Sequence, residues 1–466
     1  MEVTLAKLEL ASRLVLARAV LVRAVLSVAA FTMVAPLSAQ PPGAAGGGAA
    51  GAGGQLAQRR GPRAPQLVVI DSVTVIDVIN GRSIANQRIV IRGDSIAAVE
   101  ALSRPLPDSI NEYVNGKGAF AIPGLTDHHV HLDAGMDRML QQAARGGVTM
   151  VMNVAGDNRI VSEYARRTLT RQLAGPEIGY VSVMAGPGFF VDPRFKASEV
   201  GFASGTAPWI QAVTDETNVP MAIALARGSG AESLKLYAML DSSLTARLIS
   251  EAHRQGMTVI AHGTLFPARP LQMVQGGLDV LTHAPYLAWQ GATEVKAEDS
   301  FTRRERAPYA SVPVDGPAIT ALLEEMKRRG TWLEPTLAVF ARSAEEKDVN
   351  DWGRALTRRA NSMGIPILAG TDGLLSGRDS TALPGVHHEL ELLVDAGLSN
   401  SEALASATIN AARAMRRDNT HGSIAAGRVA DVLLLDANPL ESVSATARIR
   451  LVVLRGRLLD PLPRIQ

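Results

Sequence analysis

Cysteine is absent from the 466-residue chain. That excludes disulfide frameworks, cysteine-held zinc and thiol nucleophiles, so a bound metal would need histidine, carboxylate or a modified side chain. The absence carries no information on compartment, because an exported protein does not require disulfides. Aromatic residues are scarce, at 4% with four tryptophans, which leaves no stacking platform for nucleic-acid bases. Excess charge is missing too. Lys and Arg number 47 against 45 Asp and Glu, a formal net charge of +2, and bulk electrostatics therefore does not point to nucleic acid. What is plentiful is apolar. A chain 47% hydrophobic and 20% charged is not wholly disordered, and its length suffices for one large core or a large domain with a small one.

The first 39 residues carry Lys7, Arg13, Arg18 and Arg23 against Glu2 and Glu9. Residues 24–39 (AVLSVAAFTMVAPLSA) are apolar and end in small side chains. This pattern predicts a secretory signal over 1–39, cleaved near Ala39, and an exported periplasmic or secreted protein. The competing reading is a retained anchor, for which the uncharged run lies at the short end of a spanning helix. Residues 40–65, rich in Gly, Ala and Pro, cannot bury a core and read as a disordered linker.

From Gln66 the pattern changes. LVVIDSVTVIDVING and RIVIRGDSIAAVEAL are β-rich runs broken at Asn80-Gly81 and Gly93-Asp94, and the last part of the chain is similar. We expect residues 66–120 and 419–466 to join in one small β-sandwich-like domain. Between them, over 121–418, short apolar strands alternate with amphipathic helices. The candidate strands are AIPGLTDHHVHL, GVTMVMNV, IGYVSVMAG, SLKLYA, MTVIAHG, VLTHA, TWLEPTL and PILAGTD. Helical patterns cover 137–146, 162–175, 243–256, 316–330 and 341–364, several ending in glycine. Repeated βα units with right-handed crossovers predict an α/β fold, a TIM-like (β/α)8 barrel, with the third unit least distinct.

Active sites of such barrels lie at the C-terminal ends of the strands. His129 and His131 end the first predicted strand, Lys235 lies in the fourth, His262 and His283 end the fifth and sixth, and Asp372 ends the eighth. Alternate residues share a strand face, so His129 and His131 can bind one ion, with Asp127 further in on that side and His128 turned away. A lone strand histidine is usually a core residue. Several at successive strand ends point to metal. Lys235, between Leu234 and Leu236, faces the interior, where an unpaired ammonium is costly. Either it pairs with a carboxylate, or its neutral amine takes up CO2 as a carbamate, an anionic donor able to bridge two cations. Four histidines, one bridging anion and one Asp suit two zinc-like divalent ions.

PGLTDHHVHL resembles the PGLID-x-H-x-H signature of the amidohydrolase superfamily, and SLKLY, VIAHG, VLTHA and ILAGTD follow in that family's order. The resemblance runs over roughly 67–460 and is similar to the imidazolonepropionase-related and Xaa-Pro-dipeptidase-like branches. It implies that His129 and His131 hold a buried metal, with Asp372 nearby. It implies too that His262 and His283 hold a more exposed one, and that carboxylated Lys235 bridges the two. Asp372 is then the general base for hydroxide attack on an amide, N-acyl amino acid or dipeptide. A bridging lysine disfavours imidazolonepropionase activity itself. Tyr237 shares the face of Lys235 and either donates to a substrate carboxylate or oxyanion or simply fills a barrel layer. His128 departs from the small or apolar residue usual before the H-x-H pair; it is either a group standing behind the metal ligands or a polar packing residue, with packing favoured. Of the others, His387 and His388 head a helix, one of them a candidate for the pocket mouth, His253 sits on a helix surface and His421 in a loop.

Three rivals stay open: a mononuclear deaminase acting on a ring C=N, a lactone, ester or phosphoester hydrolase on the same centre, and a non-enzymatic exported binding protein. A homo-oligomer is compatible with all of them. The loops 186–210 and 285–315 set specificity in this reading. Phe189, Phe190, Tyr286 and Trp289 are candidates for an apolar wall. Arg303, Arg304 and Arg306 are a carboxylate attractor or a solvated run.

Overall fold

The computed structural model describes residues 66–463 except 297, 298, 300–307, 342–346 and 378–381. The expected signal and linker, and Arg303, Arg304 and Arg306, lie outside the described residues. Among the described residues no helix is long and apolar enough to cross a membrane.

The β-branched runs after Gln66 form β1 (Leu67–Asp77), β2 (Arg82–Arg92), β3 (Ser95–Ala101), β4 (Glu112–Asn115) and β5 (Phe120–Pro123). The predicted turns hold: Gly81 and Gly93 take positive φ, 63° and 67°, where a side chain would be strained. β6 (Leu125–Val130) and β7 (Val148–Asn153) follow, then β8 (Glu177–Ala185) with the short β9 (Thr206–Ala207) and β10 (Ile210–Ala212). After them come β11 (Ser233–Leu236), β12 (Thr258–Ala261), β13 (Val280–Thr282) and β14 (Trp332–Glu334). The chain ends with β15 (Val432–Leu435), β16 (Ile449–Leu454) and β17 (Arg457–Leu459).

Strands from both chain ends make one eight-stranded sheet in the order β17-β16-β15-β5-β1-β2-β3, with β4 on β1. β15 lies antiparallel to β5, with Leu433 opposite Ile122.

The barrel strands run parallel in the order β6-β7-β8-β11-β12-β13-β14. The segment after Pro366 completes the ring. Leu368 donates to Leu333 O at 2.9 Å on one side, and His128 donates to Ala369 O at 3.0 Å on the other. This is a TIM-like barrel, and its strands are almost wholly buried, as expected of parallel strands covered by helices. Helices Asp137–Arg145, Asn158–Leu169, Val219–Gly228, Ser242–Arg254, Pro270–Gln275, Pro317–Arg329 and Lys347–Ser362 lie between the strands. The second begins four residues before the expected 162, because the Asp157 carboxylate caps it by accepting from Arg159 N at 2.9 Å. Gly330 (φ 73°) closes the Pro317–Arg329 helix as the pattern predicted. The indistinct third unit has a local cause. Two 3-10 turns (Pro187–Val191, Pro193–Ser198) and the β9–β10 hairpin come between β8 and its helix.

Candidate metal centre

Two links tie the ends of the first and eighth barrel strands together. The buried Asp127 carboxylate accepts from the backbone N–H of His129 (3.2 Å), and from the N–H (3.1 Å) and hydroxyl (2.6 Å) of Thr371. Asp127 thus faces backbone rather than the site, while it sets His129 beside Asp372. Burial pushes its carboxyl well up, against these hydrogen bonds. Gly370 allows the close approach: a Cβ there would meet Glu334 Oε1 and His129 Cβ at 2.7 Å each.

His129 is completely buried. Its Nδ1 lies 2.7 Å from Glu334 Oε2, and His128 Nδ1 lies 2.7 Å from Glu334 Oε1. One carboxylate therefore serves both rings. Strict alternation points His128 away from the metal, whereas it shares the carboxylate behind His129, the less favoured of its two readings. The β6–β7 ladder slips between Asp127 and Val130, so the two histidines do not alternate cleanly. Glu334 is held ionised, at about 2. Burial opposes this, and the His129 and His128 rings bonded to its two oxygens outweigh it. An ionised carboxylate only accepts, so His129 carries its proton on Nδ1 and presents the lone pair of Nε2. That Nε2 is buried and makes no hydrogen bond. The nearest carboxylate oxygen, Asp372 Oδ1, is 3.6 Å away.

The other residues converge on this atom. Asp372 Oδ1 lies 2.8 Å from Nε2 of the partly exposed His131. The His129 ring stands 4.8 Å from that of His283, which stands 4.6 Å from that of His262. Donor atoms of His129, His283 and Asp372 all lie within 4.8 Å of one another. Lys235 is fully buried. Its Nζ donates to Thr282 Oγ1 at 3.1 Å and sits 5.5 Å from the Tyr237 ring centre. Burial lowers its pKa to about 8, with the charges of Glu334 and Asp372 pulling the other way. His262 and His283 are pushed well below the ordinary imidazole value, first by burial and then by the charges of Lys235 and His262, respectively. Burial likewise lowers His129. Burial favours the protonated Asp372, but the His131 hydrogen bond and the surrounding imidazoles hold it well below the carboxylate range. Neutral imidazoles beside an ionised carboxylate, with a buried lone pair aimed between them, are a donor set that fits a divalent cation.

A pocket of about 740 Å³ opens above this cluster, bordered by His131, His262, His283 and Asp372. Its apolar walls include Tyr237, Tyr286, Phe195 and Phe340. Both its size and its mixture of apolar wall and few polar groups suit a small-molecule site.

The amidohydrolase family pattern matches residues 120–459. This chain belongs to the amidohydrolase family. Among curated relatives, it is 34% identical over 143 residues to adenine deaminase 2 of Jannaschia sp. (strain CCS1), covering 30% of this chain and 21% of that one. It is 25% identical over 354 residues to the imidazolonepropionase of Polaromonas sp. (strain JS666 / ATCC BAA-500), covering 70% and 76%. A solved Xaa-Pro dipeptidase with bound methionine superposes with a TM-score of 0.67 at 19% identity, covering 84% of this chain and all of that one.

Within the family frame, the structure gathers all of His129, His131, Lys235, Tyr237, His262, His283 and Asp372 at one end of the barrel. Of the expected wall, Tyr286 borders the pocket. Phe189 and Phe190 instead pack behind it, Phe189 stacking on Tyr237 at 5.1 Å, and Trp289 packs on Phe266. The walls come from Phe195, in the 3-10 turn Pro193–Ser198, and Phe340, at the end of the short helix Leu337–Phe340, elements too short to show a sequence periodicity. His387 is buried between Thr446 Oγ1 (3.0 Å) and Gly146 O (2.9 Å), while His388 is exposed, and neither borders the pocket. His253 pairs with Asp279 at 2.8 Å, and His421 with Glu177 at 3.4 Å. Glu334 was missed by the sequence reading. Its signal was a charged residue inside an apolar strand, the same one that singled out Lys235.

Proposed function

We propose that this protein is a metal-dependent hydrolase of carbon–nitrogen bonds acting on a small amide, N-acyl amino acid or dipeptide. The convergence of His129, His283 and Asp372 around the buried His129 Nε2, at the floor of the pocket, carries the reading. His129, His131, His262, His283, Asp372 and a carboxylated Lys235 would hold two divalent ions, zinc for preference. When bound, these would polarise the scissile carbonyl and acidify water. The chain's own groups do the rest. Glu334 fixes which nitrogen of His129 is the donor. Tyr237 and Phe195 crowd water from one wall, and the Tyr237 hydroxyl serves as a donor to the substrate. Asp372, the carboxylate bordering both pocket and histidines, takes the proton of the attacking water and hands it to the departing nitrogen. We further read the mixed sheet of both chain ends as the small sandwich-like domain, and the N-terminal segment as an export signal.

Asp372→Asn tests the assignment. Turnover of an N-acyl amino acid panel should fall roughly 10²–10⁴-fold while bound zinc stays near its wild-type content. Wild-type turnover would remove Asp372 as base. A second reading, a mononuclear deaminase, draws on the fact that the tightest donor group holds three residues and on the adenine deaminase match. One metal equivalent together with ammonia release from an aminopurine would favour it.

A further inference from the structure

The turn after β14 delivers Thr336 to the metal cluster. Thr336 has a left-handed backbone (φ 52°, ψ 47°) and stands immediately before the short helix Leu337–Phe340. A threonine at that position ordinarily turns its hydroxyl onto the first free N–H groups of the helix. Here it does not. Its Oγ1 donates to Pro335 O at 2.8 Å and lies 2.8 Å from His283 Nδ1. The two contacts are satisfied together when His283 Nδ1–H donates to Oγ1 and the hydroxyl donates to Pro335 O, which leaves the lone pair of His283 Nε2 for the site. His283 itself sits in a left-handed conformation (φ 63°), held by its N–H on Glu334 O at 2.8 Å.

The N–H groups that Thr336 neglects are satisfied from elsewhere. Leu337 N donates to Glu389 Oε1 at 3.0 Å and Ala338 N donates to Oε2 at 2.6 Å. Glu389 lies on the helix Gly385–Asp395 and is completely buried. Burial raises its carboxyl to about 8, against the two N–H bonds that favour the charged form. Two diverging N–H groups need two acceptor oxygens, which a glutamine does not offer. The same short helix ends at Phe340, whose ring borders the pocket and meets the His283 ring at 6.2 Å.

We propose that Glu389 is a positioning residue for the metal centre: by capping the Leu337–Phe340 turn it frees the Thr336 hydroxyl to fix the donor nitrogen of His283. The inference rests on the metal reading above. It makes Glu389 and Thr336 one device, so their effects on metal affinity should not add.

The test is a double-mutant cycle on the full chain with zinc as the probe, reading affinity by chelator competition and the zinc-induced rise in Tm. Glu389→Gln and Thr336→Val should each weaken zinc about 10- to 100-fold, the range for groups behind a metal ligand. The double variant should be no more than about threefold worse than either. A merely structural role would lower the Tm of the apoprotein and leave the zinc increment intact. If Glu389→Gln does not fold, Glu389→Asp, which keeps the carboxyl group but withdraws it, takes its place in the cycle. Wild-type protein that binds no zinc overturns the metal reading. Wild-type protein that binds zinc, with a Glu389 variant of unchanged affinity or a fully additive cycle, overturns the positioning role alone.

Discussion

Replacing Glu334 by glutamine isolates what the shared carboxylate does. The two side chains have the same shape, and the surroundings of Glu334 are completely buried, so little repacking follows. The glutamine has one acceptor oxygen where the carboxylate offers two. Either His128 or His129 keeps its bond, and the other faces an NH2 group, donor against donor, from 2.7 Å. Loss of one hydrogen bond to a charged group costs roughly 1.5–3 kcal/mol. His129 can escape by moving its proton to Nε2, but that removes the lone pair aimed at the site. At about 1.4 kcal/mol per decade, the expected fall in zinc affinity is therefore about 10- to 100-fold, the range typical of groups that orient a metal ligand. Competition against a chelator of known affinity, at neutral pH, measures it directly. Histidine NMR, with the Nδ1–H resonances of both rings present in the parent protein and one lost or shifted in the variant, reads the tautomer independently. Zinc affinity within threefold of wild type, with both resonances intact, would refute the claim that Glu334 sets the donor nitrogen of His129.

Gly370→Ala should be severe for so small a change. The new methyl would meet Glu334 Oε1 and His129 Cβ at 2.7 Å, and a loss of several degrees in Tm together with zinc retention is expected; a neutral effect on both would contradict the packing. Lys235→Ala should abolish most hydrolysis, with partial recovery on adding short-chain carboxylates in place of the proposed carbamate. Full activity without them would exclude a bridging role. The acid limb of stability should depend on Glu177, whose pKa is lowered to about 2: burial opposes this, and the His421 ring 3.4 Å away and the Arg417 charge outweigh it. Because the folded value lies below the ordinary 4.5, this contribution is present above pH 4.5 and is lost as pH falls toward 2. Glu177→Gln should thus remove up to about 3 kcal/mol at neutral pH and flatten denaturant midpoints below pH 4.5. A parallel shift of the whole curve would argue against it.

The barrel was readable because each parallel strand is buried on both faces and so appears as a short apolar run, and because His129, Lys235, His262, His283 and Asp372 interrupt those runs with groups that have no business in a core. What was not readable depends on contacts between distant segments. His128 obeyed alternation on paper, and a one-residue slip against β7 placed it on Glu334. Glu389 sits in HHELELL, where a glutamate reads as the solvent side of an amphipathic helix. Nothing local reveals that two N–H groups from the seventh barrel unit end on it. Phe195 and Phe340 became pocket walls through turns whose course no periodicity encodes.

The pairing of β15 with β5 has a consequence for synthesis and for engineering. β5 leads straight into β6, the strand that carries His129. Its free edge is covered only when β15, made after the whole barrel, lies down beside it. Until then an apolar strand edge stands open at the foot of the barrel's first strand, the kind of edge that recruits other chains. Removing the tail from Val432 onward would therefore not trim an appendage. It would leave every molecule in the state of an unfinished nascent chain, and aggregation rather than a slow enzyme is the expected phenotype.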